Sequence, residues 1–383
     1  MSQTVLILGG GVGGLVAANK LRKLLPKQHH VVLIDREPSF VFAPSFLWLM
    51  TGGRTAEKIS RPLVRLEKRG VEVVQGEIER IDPEKREVVV DGRCLAGDHL
   101  IIALGAELAP ETVPGLEDAG HNFYTLAGAE ALRDRFAGFT GGKLVVLTAA
   151  PAYKCPAAPY EAAMLLEYAC RKRKIRDLTQ IDLYAAEPGP MGVAGPDVSK
   201  AVRGMVEGKG VMYHHEHQIR EVDVGDRRLK FANGVEAPYD LLAYVPPHRA
   251  PKVVRETGLV SESGWVQVDR NTLETKYPGV YALGDVVAIP LKLGKPLPKA
   301  GVFAHAEAEV VASNIARTIT GKGKPASFNG HGECFIETGD GKAGLGKGNF
   351  YAEPLPQIKI HPPARHWHVA KVLFEKDWLR RWF

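Results

Sequence analysis

An α/β fold of two Rossmann-like domains, followed by an aromatic, amphipathic C-terminal segment, is what the sequence predicts, and three observations predict it. The chain has 383 residues, too many for one compact core. It opens on a strand, a glycine-rich turn, a helix and a second strand, and a second strand–helix–strand unit begins near Lys143. Its last residues, by contrast, are rich in Trp, Phe, Lys and Arg.

In order along the chain, Thr4–Leu8 is a short apolar run, and Gly9 to Gly14 a glycine turn. Residues 15–25 show helical spacing, and Val31-Val32-Leu33-Ile34 is a strand ending at Asp35. Residues 71–74, 87–90 and 100–103 read as further strands. Residues 143–148 open the second unit, with a helix over about 156–169 and a strand over 181–185. Residues 266–269 and 280–283 read as late strands. Pro298 starts a helix running to Thr320, since proline suits a first turn. After Gly321 the composition is glycine-rich and reads as loop. The predicted domains are 1–110 with 255–325, then 111–254, then a C-terminal segment over 326–383.

Composition narrows the function. Charged residues make up 25% and hydrophobic ones 45%, an ordinary globular balance. The net charge is +6 and the pI about 9.0, but Lys and Arg are spread along the chain, which speaks against nucleic acid as partner. No basic leader with an apolar core precedes the first strand, so no signal peptide is expected. No apolar run approaches the ~20 residues of a spanning helix. The four cysteines, 94, 155, 170 and 334, match no zinc spacing, and no metal is expected. A reducing cytoplasm would keep a purely structural disulfide open.

Gly9-x-Gly11-x-x-Gly14 lies between strand and helix, with Asp35 twenty-one positions on. Gly9 makes the tight turn, Gly11 lets backbone approach a pyrophosphate, and Gly14 lets helix and strand pack closely. The helix N-terminus attracts the phosphate charge, and Asp35 accepts from ribose hydroxyls. The corresponding turn of the second unit, Leu147 to Pro156, contains no glycine and two prolines, so it predicts no nicotinamide site. Cys155 precedes Pro156 at the expected start of a helix, with Lys154 beside it. That placement predicts a lowered thiol pKa and a reactive thiolate.

Two further stretches resemble the two-domain flavoprotein reductases. Thr275-x-x-Pro278-x-Val280-Tyr281-Ala282-Leu283-Gly284-Asp285 is similar to their late motif, in which the Gly-Asp pair closes over the ribityl chain. Leu100 to Gly105 is similar to their strand returning from the first domain. The resemblance implies FAD, held by Gly9, Gly11, Gly14, Asp35, Gly105, Gly284, Asp285 and Lys299.

Cys155-Pro156-x-x-Pro159-Tyr160-Glu161, Glu333-Cys334 with Thr338-Gly339, Pro298-Lys299-Ala300-Gly301 and His368-x-x-Lys371 narrow it. Taken in their order along the chain, they resemble motifs of the sulfide:quinone oxidoreductases and of the flavoprotein subunit of flavocytochrome c sulfide dehydrogenase. The resemblance covers essentially the whole chain. It implies Cys155 and Cys334 as a redox pair attacked by hydrosulfide, with Lys299 steadying the reduced flavin and Glu161 assisting protons. It departs from the family in three places. Tyr124 stands where many members carry a third cysteine. No cysteine lies in 40–45, so FAD is expected to be non-covalent. His305 stands where an acidic residue of the quinone pocket is common. His305, Lys371 and Phe374 are the expected quinone residues, and Cys94 and Cys170 have no expected role. At helical spacing Trp367, Ala370, Phe374, Trp378 and Trp382 fall on one side of the tail, which suits a membrane interface. The expected protein is therefore a peripheral, monotopic membrane flavoenzyme, taking sulfide as donor and a quinone as acceptor, with homo-oligomers possible. Two other readings stay open: the flavoprotein of a sulfide dehydrogenase donating to a c-type cytochrome, and a flavin-bound scaffold or sensor without turnover.

Overall fold

A computed structural model describes all 383 residues. Runs of Val, Leu and Ile buried on both faces make two parallel sheets, as expected where helices cover both sides. In the first, β1 (Thr4–Leu8), β2 (His30–Asp35), β3 (Glu72–Gln75) and β4 (His99–Ile102) are parallel. A fifth strand, Val280–Ala282, returns from far along the chain to pair with β4. The second sheet holds β5 (His121–Asn122), β6 (Gly142–Thr148), β7 (Thr179–Ala185), β8 (Met212–His214) and β9 (Leu241–Val245), in the order β5-β9-β6-β7-β8. With Val280–Ala282 as β10, three antiparallel strands follow: β11 (His331–Gly339), β12 (Lys342–Asn349) and β13 (Gln357–Ala364).

Four helices position the site. α1 (Val12–Leu24) follows the glycine turn, and α2 (Ala158–Lys172) follows β6. α3 (Gly301–Thr320) packs along α1, and α4 (Arg365–Arg381) lies on the β11–β13 sheet. One continuous apolar core runs from Val5 through both parallel sheets to Trp378, Leu379 and Trp382 of α4.

Three expectations need correction. Residues 266–269 are not a strand: Val266 alone forms isolated bridges, with Val260 and Val287. The region after Gly321, read as loop, carries the β11–β13 sheet; its many glycines weaken strand propensity, but backbone crowding uses them. A Cβ on Gly348 would lie 1.9 Å from the Gln357 carbonyl. Finally, both site helices begin later than the prolines suggest. α2 starts at Ala158, beyond Cys155, and α3 at Gly301, beyond Lys299.

Candidate active site between the two nucleotide-binding units

The turn from β1 into α1 is built as its glycines require. Gly9 has φ +99°, and a Cβ there would sit 2.5 Å from the Ala103 carbonyl oxygen. A Cβ on Gly14 would lie 1.8 Å from the Gly9 carbonyl, so helix and turn touch only because Gly14 has none. Gly11 and Gly105 face open space. Asp35, at the end of β2, accepts from the Gly10 amide through Oδ2 and from the Glu37 amide through Oδ1 at 2.8 Å. This places the carboxylate beside the turn. Asp285 carries the second signal: its Oδ1 is buried with no hydrogen-bond partner. Buried polar atoms are rarely left so, and a bound hydroxyl answers it. Burial raises the Asp285 carboxyl. An open glycine cradle, an acid at the ribose position and an orphan oxygen at Gly284-Asp285 fit FAD.

Two groups near Asp285 hold this strand end. Glu307 on α3, which the sequence reading missed, accepts from the Gly284 amide at 2.7 Å, and burial raises its carboxyl to about 7. Nothing in the local sequence distinguished it from any other helical glutamate. Lys299 donates to the carbonyls of Asp285 and Val287, each at 2.7 Å, and lies 3.5 Å over the Trp265 ring. Its ammonium is spent on backbone oxygens, and burial lowers its pKa to about 8.

Cys155 sits in the left-handed region at φ 52°, an unusual place for a side chain with a Cβ. It is fixed from both ends. Its amide donates to the Lys299 carbonyl at 2.7 Å, and the Tyr124 hydroxyl donates to its carbonyl at 3.2 Å. Cys334, on β11, lies close enough that charge on one thiol is felt by the other. The expectation of a lowered thiol pKa is overturned. Burial, then the Cys334 charge, pushes Cys155 well up, and burial raises Cys334 to about 12. Desolvation outweighs a helix dipole that begins three residues further on. Both thiols are free. Cys94 is exposed on a strand, and Cys170 is buried on α2 away from the pair.

Behind the cysteines lies a buried charge cluster. Glu161 on α2 accepts from the Lys371 ammonium at 2.8 Å and from the Glu337 amide at 2.7 Å. Glu337 in turn accepts from His368 Nδ1 at 3.0 Å. Lys371 also lies 5.1 Å from the Trp48 ring centre. Phe374, one turn along α4, faces Phe42 and Phe335. His305 is not brought to them. It packs edge-on against Trp382 at 5.3 Å, and Trp382 is eleven residues from Lys371, about 16 Å along a helix. Burial lowers the His305 pKa. The aromatic tail is likewise divided: Trp378 and Trp382 are buried in the core, while Val369, Leu373 and Phe374 are exposed.

In the second unit, the turn after β6 is filled from within. Glu187, just past β7, accepts from Tyr153 and Tyr160 at 2.6 Å each and from Thr148 at 2.9 Å. In a nucleotide-binding unit the acid at this strand end faces a ribose; here three of the protein's own hydroxyls occupy it.

Two linked parallel-sheet units with an FAD cradle define a two-domain flavoprotein oxidoreductase. The model of the pyridine nucleotide-disulphide oxidoreductase family matches residues 3–308, and the chain belongs to that family, a flavoenzyme with FAD as cofactor. Its relatives narrow the comparison. A sulfide-quinone reductase of Aquifex aeolicus is 29% identical, the alignment covering 99% of this chain and 91% of the relative. The mitochondrial sulfide:quinone oxidoreductase of Mus musculus is 24% identical over 92% of this chain and 79% of its own. The crystal structure of the Aquifex aeolicus sulfide:quinone oxidoreductase superposes with a TM-score of 0.90 at 27% identity, covering 99% of this chain and 91% of that one.

Proposed function

We propose that this enzyme oxidises sulfide at the Cys155–Cys334 pair and delivers the electrons, through FAD, to a quinone. The observation that carries the reading is that the two cysteine segments are joined: Glu161, six residues past Cys155, accepts at 2.7 Å from the amide of Glu337, three residues past Cys334, while the Cys155 amide donates to the carbonyl of Lys299, which holds the Asp285 carbonyl. The two named relatives with sulfide as substrate support the donor and acceptor. Hydrosulfide attacks one sulfur of the Cys155–Cys334 disulfide. That S–S bond breaks, a persulfide forms on one cysteine, and the other leaves as thiolate. Coupling of that thiolate with the persulfide, as a trisulfide, releases the electron pair, for which FAD, when bound, would supply the two-electron acceptor. Tyr124, in place of a third cysteine, fixes the Cys155 carbonyl rather than holding sulfur. Lys299 and Glu307 set the backbone at Gly284-Asp285 against the cofactor.

Lys371 and Phe374 are the residues proposed to meet the quinone, next to the cysteines on α4. His305, at the far end of α4, is left as packing against Trp382. The missing cysteine in 40–45 supports non-covalent FAD. The filled Glu187 turn supports the absence of a nicotinamide step.

The test is flavin absorbance. Anaerobic sulfide should bleach it, a short-chain quinone should restore it, and NADH should do neither. Restoration by cytochrome c but not by quinone would overturn the acceptor. Absence of bleaching would overturn the donor.

A further inference from the structure

The reaction proposed above, on which this inference rests, moves protons as well as electrons. The two protons of H2S must leave a buried pair, and a quinone needs two protons to become quinol. The cluster behind the cysteines has the form of an exit. Glu161, Lys371 and Glu337 have side chains only 2, 9 and 1% exposed, whereas that of His368 is 31% exposed. Among these four, only His368 reaches solvent.

Two direct contacts, Glu161 with Lys371 and Glu337 with His368, anchor the series, and charge links them to each other and to the cysteines. The charge of Glu161 and Lys371 is felt by both Cys155 and Cys334. Glu161 and Lys371 are joined at 2.8 Å. Lys371 and Glu337 are charge-coupled, and Glu337 meets His368 at 3.0 Å. Groups from four elements enclose the series. Glu161 comes from α2, Cys334 and the exposed Glu333 from β11, and Lys371 and His368 from α4, with Cys155 from the loop before α2. Trp48 covers it, its ring 6.0 Å from that of His368 and under the Arg54 guanidinium at 4.4 Å. Arg54 itself is neutralised by Glu375, so it adds no free charge. A buried ion pair is not automatically stabilising, and a wholly structural role would not need a second carboxylate leading to a half-exposed imidazole.

We infer that Glu161, Lys371, Glu337 and His368 form a proton relay between the Cys155–Cys334 centre and the surface. In the outward direction an S–H proton passes to Glu161. Lys371, which is not in direct contact with Glu337, gives it a proton through a bridging water and is refilled from Glu161. Glu337 passes its proton to the His368 ring, whose Nε2 releases a proton to solvent. Glu161, Lys371 and Glu337 return to their starting states, the His368 ring ends as its Nδ1–H tautomer and resets by exchange with solvent, and no bond other than N–H, O–H or S–H changes. The inward direction supplies the quinone by the same hops. Burial, against Lys371 and His368, raises the Glu337 carboxyl, which brings its proton affinity closer to that of an imidazole. Glu161 and Glu337 outweigh burial at Lys371 and keep its ammonium available as donor.

The experiment is stopped-flow flavin absorbance on FAD-loaded enzyme, carried out in H2O and D2O for each half-reaction. Sulfide drives one half, and a short-chain quinone reoxidises dithionite-reduced enzyme in the other. His368→Ala and Glu337→Gln should each slow whichever half-reactions the parent performs by roughly 10-fold, within the range of a positioned proton-transfer group. The double variant should be no slower than the worse single one, as for groups acting as a unit. Millimolar imidazole should restore His368→Ala, and the solvent isotope effect should rise in both variants. FAD content and Tm check folding, and His368→Gln serves if the alanine variant is unstable. Parent-like rates and isotope effects in both variants overturn the relay while leaving the sulfide reading intact. A parent inert to both sulfide and quinone overturns the function and the relay together.

Discussion

At the scale of single residues, burial decides more than sequence neighbours do. Cys155 looked activated by a lysine and a helix start, yet its thiol is raised, so its reactivity depends on pairing with Cys334 rather than on a free thiolate. Cys155→Ser and Cys334→Ser should each abolish sulfide-dependent quinone reduction per bound flavin while retaining FAD. Serine is nearly isosteric but forms neither disulfide nor persulfide. Cys94→Ser and Cys170→Ser should stay near the parent rate. Most of the rate surviving in Cys334→Ser would defeat the pair. Glu307 offers a pH test. Its carboxyl moves from 4.5 to about 7 on folding, so the folded state holds the proton more tightly. The resulting stability is complete below pH 4.5 and is lost as pH rises to about 7, a difference of about 3 kcal/mol. Glu307→Gln, which cannot ionise, should therefore gain Tm relative to the parent at pH 8 but not at pH 4.5. Thermal melts at the two pH values that differ by the same amount would contradict the sign.

At the scale of elements, the sequence was readable where a motif carries its own backbone requirement. Gly9 and Gly14 each need a missing Cβ, and both sit where that need predicts, while Gly11 faces open space. Asp35 could be placed because a ribose acid follows its strand. The β11–β13 sheet was not readable, because its alternation is interrupted by Gly344, Gly346 and Gly348. Their use emerges only when neighbouring strands crowd them. The pairing of Glu337 with His368 was hidden for a similar reason. They lie 31 positions apart, and only the docking of α4 onto β11 joins them. Glu187 is the clearest case. It clamps Tyr153 before Cys155 and Tyr160 after it, so a single carboxylate braces both sides of the loop. Glu187→Ala would leave the three hydroxyls without their charged acceptor, at a cost on the order of 3 kcal/mol. Glu187→Gln, which keeps one acceptor oxygen, should lose less. Chemical denaturation should rank parent, Gln, Ala in falling order, and equal midpoints for parent and Ala would show that the hydroxyls find other partners.

At the scale of the whole molecule, no helix is long and apolar enough to cross a membrane, and the proposed quinone acceptor calls for a surface that meets lipid. α4 offers the means. Trp378 and Trp382 anchor one side of it in the core, which leaves the opposite side to face outward. That side presents Val369 at 53% and Leu373 at 59% exposure, four residues apart and therefore neighbours on the helix surface. The exposed Lys376 follows them, as does Arg380, which is paired with Asp377 at 3.2 Å, in a chain of net charge +6. Apolar side chains flanked by cations suit an anionic lipid interface. Fully burying a Val or Leu side chain is worth about 1.5–3 kcal/mol, and roughly half of each is exposed here, so the pair should contribute on the order of 2 kcal/mol to binding. Val369→Glu with Leu373→Glu should then lower partitioning onto vesicles containing anionic lipid by at least ~30-fold, since each 1.4 kcal/mol is tenfold and the new carboxylates are also repelled. Flotation with vesicles measures this, and raised salt should weaken the parent's binding in the same assay. Neither position belongs to the cysteine or quinone-facing groups, so reduction of a water-soluble short-chain quinone should persist in the double variant. Unchanged flotation would assign this helix side to another role, with a second copy of the chain, visible as a larger mass in solution, as the direct competitor.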